Sequence, residues 1–184
     1  MSTVPVMYVY LYCVPAFCWP NGMPSYNGVF PKSAEKTISD TSRHELEKER
    51  ILLTDYGRKP FVVNIEEAAK QNDYFRTTLW TGSNLQVTLM NLNPGESVGL
   101  EIHPDVDQFL RLEQGTGLVQ MGSSKDYLSY QRVVSDDYAI VVPAGIWHNL
   151  TNTGEIPLKL YSIYAPPEHP FGTIHRTKAD DIDE

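Results

Sequence analysis

The sequence predicts an all-β fold, a jelly roll, and two observations lead to this prediction. Apolar and polar residues alternate along residues 85–90 and again along residues 158–161, which is the period of a strand with one buried face. Short turn sequences also recur between such runs at the spacing of a sandwich or barrel. These turns are Asn93-Pro94-Gly95, Glu113-Gln114-Gly115, Met121-Gly122-Ser123, Ser135-Asp136-Asp137 and Thr153-Gly154. The mouth of such a barrel could hold a metal and a small ligand.

Length and charge limit the domain count and the partners. The chain has 184 residues and 41% hydrophobic content, enough for one domain with a real core and an extension. Its formal charge is −8, from 15 basic and 23 acidic residues, and it contains no basic run. We therefore expect neither nucleic acid nor an anionic membrane surface as a partner.

Residues 1–31 form a separate module in composition, without a charged residue and rich in proline and tyrosine. No basic segment precedes the apolar run, and Pro5 and Pro15 interrupt it, which is unlike a secretory signal. The run is also short for a membrane span, so we expect a cytoplasmic protein. The module is expected to pack across the barrel or to self-associate, and it is faintly similar to coat-type structural proteins. Cys13 and Cys18 are interpreted as free thiols rather than half of a zinc site.

A helical linker over residues 32–72 is expected to join this extension to a barrel over residues 73–166, with a C-terminal tail over residues 167–184. Ser42 with Glu45 resembles a capping box that opens a helix over residues 43–52, and Gly57 ends it. Asn64 with Glu67 predicts a second short helix over residues 65–71.

The candidate functional site begins with Glu101 and His103. On a strand, residues two apart share a face, so this carboxylate and imidazole can point to one place. The sequence Pro143-Ala144-Gly145-Ile146-Trp147-His148 then supplies His148, 45 residues after His103, through a turn. A mixed oxygen and nitrogen donor set suits a divalent transition metal such as Fe, Mn, Ni or Zn.

These residues carry a resemblance to a known family. Gly95, Glu101, His103, Gln108 and Gly115 are spaced as in the first motif of the cupin superfamily, with two ligand substitutions. The second motif is matched by Asp137, Pro143, Gly145, His148 and Asn152, where Asp137 replaces the usual glycine. The resemblance implies a double-stranded β-helix that binds one metal through Glu101, His103, Gln108 and His148.

Gln108 stands where the family has a glutamate ligand. Alternation places Gln108, Leu110 and Leu112 inside the barrel, and Asp107, Arg111 and Glu113 towards solvent. Two alternatives remain at this stage. Asp107 becomes the ligand if the strand shifts by one residue, or Gln108 binds a water on the metal instead of the metal itself.

The resemblance implies a small-molecule substrate and several possible reactions. Our first hypothesis is a metal-dependent oxidoreductase of the dioxygenase type, without an identifiable catalytic residue beyond the metal ligands. The alternatives are a non-catalytic small-molecule binding protein, a sugar isomerase or epimerase, and a coat-type structural protein. Glu168, His169 and His175 follow the last predicted strand in a proline-rich segment, which is a surface loop or, less simply, a lid.

A homodimer is also expected. Val98, Leu100 and Ile102 alternate with Gly99, Glu101 and His103, so the strand has a second, apolar face. That face must be covered by a second subunit or by residues 1–31.

Overall fold

The computed structural model describes residues 50–181, and in this part of the chain nine strands form two antiparallel sheets. The strands are β1 (Arg76–Thr81), β2 (Gln86–Leu92), β3 (Asp107–Gln114), β4 (Thr116–Gly122), β5 (Tyr130–Ser135), β6 (Ala139–Val142), β7 (Trp147–Asn152), β8 (Leu158–Ala165) and β9 (Ile174–His175). One sheet has the order β6-β3-β8-β2-β1-β9, and the other has the order β5-β4-β7. The predicted all-β jelly roll is confirmed.

A hydrophobic core fills the space between the two sheets. Leu110, Leu112 and Leu160 from the large sheet meet Val119 and Leu150 from the small one, and all five are almost fully buried. Burying a side chain of this size contributes about 1.5–3 kcal/mol. This core holds the sheets face to face, so that loops from both can meet at one end.

The outer face of the large sheet is covered as well. Residues 51–69 pack on it and form a second cluster around Ala68, Leu79 and Leu89. β2 is therefore buried on both faces, and the half-buried strand expected from alternation over residues 85–90 is wrong. Gln86, Thr88 and Met90 are buried on the inner face of the sheet, whereas Val87 and Leu89 pack against the covering segment.

One short α-helix lies in this covering segment. The helix α1 (Ile65–Gln71) begins where the sequence predicted, and the side chain of Asn64 accepts a hydrogen bond from the Glu67 N–H at 3.2 Å. The predicted helix over residues 43–52 is wrong in its last three residues, 50–52, which are not helical. There the Ile51 N–H donates to the Gln71 side chain at 2.9 Å, and Ile51 packs in the outer cluster. The rest of that helix lies outside the described residues.

The chain after residue 166 adds to the large sheet. β9 pairs with β1 through Arg76 with His175 and Thr77 with Ile174. A single turn of 3-10 helix (Lys178–Asp181) follows. The predicted C-terminal tail thus contributes an edge strand, while the domain boundaries themselves stay predictions.

The predicted extension of residues 1–31, with Cys13 and Cys18, lies outside the described residues. Among the residues that the structure does describe, no helix has the length and apolar character needed to cross a membrane. The expected cytoplasmic location stays a prediction.

The cover on β2 can be tested by truncating Leu89, which is fully buried. We expect Leu89→Ala to lower the free energy of unfolding by about 2–5 kcal/mol, because a cavity forms under residues 51–69. Chemical denaturation measures the change. Val62→Ala is the matched control, since Val62 lies in the same segment but is 97% exposed, and it should change stability by less than about 0.5 kcal/mol. Equal stability of the two variants would contradict the packing.

Candidate metal centre

The first motif enters the site through a bent segment. Glu101 forms an isolated bridge with His148, and the rest of residues 98–106 carries no strand. Gly99 has a φ of 107°, which glycine adopts readily and other residues do not. The alternation argument that placed Glu101 beside His103 therefore rests on a strand that does not form. The two side chains still meet, because the bridge and the following turn aim both at the same place.

The second apolar face expected on this segment is absent as well. Val98 is buried in the core between the sheets, whereas Leu100 is 44% exposed. Since the two side chains lie in different environments, the homodimer loses the argument that predicted it and stays a prediction.

The second motif is joined to the first by backbone hydrogen bonds. The Glu101 N–H donates to the His148 carbonyl at 3.0 Å, and the His148 N–H donates to the Glu101 carbonyl at 2.9 Å. Gly145, with a φ of 77°, turns the chain so that its N–H donates to the His103 carbonyl at 2.8 Å. β7 then begins at Trp147 and presents His148 to the interior.

Asp137 occupies the glycine position of the second motif without disturbing it. Its φ is 70°, in the left-handed region, which aspartate tolerates better than most residues. Its carboxylate accepts a hydrogen bond from the Arg111 guanidinium. The substitution therefore keeps the turn that precedes β6.

Three donor groups converge at this end of the core, and they are Glu101, His103 and His148. One potential ligand atom from each lies within 4.8 Å of the others. Glu101 Oε1 is 3.1 Å from His148 Nε2 and 3.4 Å from His103 Nε2. Ligand atoms about 2.1 Å from a transition metal lie about 3.0 Å apart when they subtend a right angle. The spacing therefore fits one divalent ion bound by all three.

In both histidines a contact at the ring nitrogen Nδ1 orients the imidazole, and this leaves Nε2 to bind a metal. His148 Nδ1 lies 3.0 Å from the Ile146 carbonyl, which can only accept, so Nδ1 carries the proton. His103 Nδ1 lies 3.0 Å from Glu168 Oε1, and the same assignment follows when that carboxylate is ionised. Each Nε2 then keeps its lone pair for a metal. His103 Nε2 makes no hydrogen bond with the described residues, as expected of an atom that needs a cation.

Gln108 is buried and belongs to the interior face of β3. Its Nε2 donates to Ser162 Oγ at 3.0 Å, and its Oε1 has no hydrogen-bond partner among the described residues. An acceptor left without a partner in the interior is suited to a cation or to a water on that cation. The alternative ligand, Asp107, is exposed, and its Oδ1 accepts from the Ala144 N–H at 2.9 Å.

Glu113 does not face solvent as alternation predicted. It is buried, forms an ion pair with Arg111 at 2.7 Å, and burial raises the pKa of its carboxyl above the ordinary value. The pairing of β3 with β8 is irregular between Leu112 and Gln114. That irregularity and the packing of α1 against β3 remove the simple inside–outside alternation at this end of the strand.

The charges at the site favour an ionised Glu101. Burial raises the pKa of Glu101, but its contacts with the two histidines and the charge of Arg76 outweigh burial and lower the pKa to about 2. Burial lowers the pKa of His103, but Glu101 and Glu168 outweigh it, so that this pKa lies above its usual value. The ionised Glu101 carboxylate can thus bind a cation. At the His103 imidazole, protons compete with the metal.

The proline-rich segment after β8 folds against the site. Glu168 contacts His103 as described, and the backbone of His169 is held on both sides by Gln86. The His169 N–H donates to Gln86 Oε1 at 2.9 Å, and Gln86 Nε2 donates to the His169 carbonyl at 2.8 Å. Burial, followed by the charge of Arg76, lowers the pKa of His169 to about 3, so its ring is neutral.

Sequence reasoning missed two further residues near the donors. Arg76 in β1 is 1% exposed, and its Nη1 donates to the Tyr164 hydroxyl at 2.8 Å. The Tyr164 ring stands edge-on to His103 with centroids 5.7 Å apart. Neither residue belongs to a motif, and no spacing along the chain links them, so the sequence offered no signal for the pair.

The fold and this site place the chain in a family. A model of the cupin domain matches residues 88–164, and the chain belongs to the cupin family. The predicted resemblance is thereby confirmed.

The chain is similar to several known proteins. It is 60% identical over 167 residues to Bacillus subtilis protein YrkC, covering 87% of this chain and 90% of YrkC. The crystal structure of BH2720 from Bacillus halodurans is 62% identical with a TM-score of 0.71, covering 71% of this chain and 99% of that one. A Klebsiella pneumoniae protein with a double-stranded β-helix domain shares the fold at 15% identity and a TM-score of 0.50, covering 64% and 98%.

The metal ligands can be tested by elemental analysis of protein purified without added metal. We expect about one divalent transition metal per chain. His103→Ala or His148→Ala should abolish its retention, and Gln108→Ala should weaken it less, because a neutral amide oxygen is a weaker donor. His175→Ala is the control, since it removes another buried imidazole outside the cluster. Full metal occupancy in a His103→Ala and His148→Ala double variant would refute the site.

Glu168 should set the pH at which metal is lost. Because Glu101 and Glu168 raise the pKa of His103 above its usual value, protons compete for it as the pH falls, and affinity for Zn(II) should drop from a higher pH than for an ordinary histidine. Glu168→Gln removes one of the charges that raise this pKa, so the loss should begin at lower pH. At high pH the same variant should bind metal about 10–100-fold more weakly, because the imidazole is less firmly oriented.

A competitive chelator titration between about pH 5 and about pH 8 measures both effects. Glu155→Gln, a neutralisation at an exposed position, should leave the curve unchanged. A Glu168→Gln curve that coincides with the unsubstituted protein at every pH would show that Glu168 does not act on His103.

Proposed function

We propose that the chain is a metal-dependent oxidoreductase of the dioxygenase type that acts on a small molecule. One observation carries the proposal, the convergence of two imidazole nitrogens and one carboxylate oxygen from Glu101, His103 and His148. Two histidines and one carboxylate with open positions form the donor set of non-haem Fe(II) oxygenases. Thiolates, which mark closed structural zinc sites, are absent from the cluster.

The four proposed ligands would leave a bound divalent ion with a net positive charge. Two neutral imidazoles, one carboxylate and the neutral amide of Gln108 together leave +1 on a divalent ion. When bound, such an ion supplies Lewis acidity and, if it is Fe(II) or Mn(II), one-electron redox chemistry for the reaction with oxygen. The protein supplies the orientation of its donors, through Glu168 on His103 and the Ile146 carbonyl on His148.

The surroundings of the donors support a small polar substrate. Thr88 and Ser162 are fully buried neighbours on β2 and β8, and Thr88 Oγ1 has no hydrogen-bond partner among the described residues. The segment at Glu168 and His169 lies beside the donors, where Glu168 contacts His103 at 3.0 Å. A polar interior with donors and acceptors to spare is suited to a ligand that carries oxygen functions.

An isomerase or epimerase would need an acid–base group besides the metal ligands. Glu168 is occupied by His103 at 3.0 Å, and the Tyr164 hydroxyl accepts from Arg76 at 2.8 Å. These contacts favour the oxygenase hypothesis over proton transfer. The coat-type alternative rests on residues 1–31, which the structure does not describe.

Oxygen consumption tests the proposal. We expect the Fe(II) or Mn(II) form to consume one O₂ per substrate turned over, with both oxygen atoms entering product, whereas the redox-silent Zn(II) form should be inactive. An oxygen electrode measures this with diketones, catechols, flavonols, thiols and sugar phosphates against the Fe(II), Mn(II), Ni(II) and Zn(II) forms. His148→Ala should abolish the signal.

Two results would contradict the proposal. Turnover without oxygen in the Zn(II) form would indicate an isomerase or epimerase. Substrate binding without turnover in any metal form would indicate a binding protein.

A further inference from the structure

Arg76 places a positively charged guanidinium in the interior of the fold. Its side chain is 2% exposed and makes three hydrogen bonds through different nitrogens. Nη1 donates to the Tyr164 hydroxyl at 2.8 Å, Nε donates to Asp181 Oδ1 at 3.0 Å, and Nη2 donates to Asp181 Oδ2 at 3.2 Å. The last two form the two-pronged contact by which arginine recognises a carboxylate.

The carboxylate on Arg76 comes from the end of the described chain. Asp181 lies 105 residues from Arg76 in sequence, in the 3-10 helix, which buries none of its residues. The described contacts that hold this end are polar, Asp181 with His175 Nδ1 at 2.7 Å and Lys178 Nζ with Ser97 Oγ at 2.9 Å. A 3-10 turn held in this way can leave more easily than one anchored by buried apolar side chains.

Arg76 also lies next to the metal donors. Tyr164 connects the two, because its hydroxyl contacts Arg76 and its ring contacts His103. The charge of Arg76 is among the causes that lower the pKa of Glu101. A small molecule whose carboxylate binds the guanidinium would therefore lie close to Tyr164, which contacts the donor residue His103.

We propose that Arg76 binds a carboxylate of the substrate, and that Asp181 occupies this position until the substrate displaces it. The inference rests on the proposed function and narrows its substrate to small carboxylic acids. Exchange of one carboxylate for another keeps the buried guanidinium paired, whereas a neutral ligand would leave it without its counter-charge. Asp181 therefore acts as an internal competitor, which selects against molecules without a negative group.

The competing explanation is a purely structural ion pair that fastens the chain end. The two differ in what happens when Asp181 loses its charge. A structural pair predicts lower stability and no gain in ligand binding. An internal competitor predicts tighter binding of a carboxylate, since an attached competitor acts at a high effective concentration.

The test is calorimetric titration of the full chain in its Zn(II) form with malonate, and with malonamide as the uncharged analogue. We expect Asp181→Asn to bind malonate at least about tenfold more tightly than the unsubstituted protein, because the competing charge is gone. Asp180→Asn is the matched control, since Asp180 lies in the same turn and accepts from the Thr177 N–H without contacting Arg76. Arg76→Gln should abolish malonate binding, and malonamide should bind none of the proteins.

A second measurement uses the unsubstituted protein and needs no variant to fold. Malonate should expose the chain end, so trypsin should cleave after Arg176 or Lys178 faster with malonate than with malonamide. Unchanged malonate affinity in Asp181→Asn, or unchanged cleavage in the presence of bound malonate, would overturn the proposal.

The outcomes separate this inference from the oxygenase proposal. Malonate binding that depends on Arg76 and Asp181, with no oxygen consumption by any metal form, would keep the inference and reject the oxygenase. Oxygen consumption with neutral substrates and no effect of Asp181→Asn would do the reverse.

Discussion

The backbone pairing between Glu101 and His148 is the constraint on which the site depends. Two hydrogen bonds of 3.0 and 2.9 Å join these residues, and a third from Gly145 to the His103 carbonyl closes the same corner. On its other side, His148 is paired in register with Met121 of β4. A slip of one residue in either pairing would turn the His148 imidazole away from the interior. The convergence of the three donors is thus a property of sheet register as much as of the donor residues.

The interior of this cupin is organised around balanced charges. Arg76 is matched by Asp181, and the carboxylates of Glu101 and Glu168 lie on either side of His103. Buried charges of this kind add little stability compared with apolar packing, because desolvation offsets most of their attraction. The hydrophobic core between the sheets and the outer cluster on β2 therefore account for most of the stability of the fold.

Two sequence arguments led to the site, and they fared differently. Motif spacing placed Glu101, His103 and His148 in one cluster. It succeeded because the turns at Gly95 and Gly145, both with positive φ, depend mainly on local sequence. Strand alternation was less dependable. It put Gln108 in the interior, where the structure also has it, yet it assumed a strand through Gly99 and placed Glu113 in solvent. Alternation fails where a positive φ or an irregular pairing interrupts the pleat.

The sequence by itself determined the all-β fold, the capped helix α1 and the three residues of the cluster that could hold a metal, because turns, caps and motif spacings act over a few neighbouring positions. The tertiary structure decided what surrounds that cluster. Arg76 meets Tyr164 across 88 positions and Asp181 across 105, and Glu168 reaches His103 across 65. The cover of residues 51–69 on β2 is of the same kind. Such contacts depend on how the sheets close on one another and on where the chain end comes to lie, and local periodicity carries no information about either.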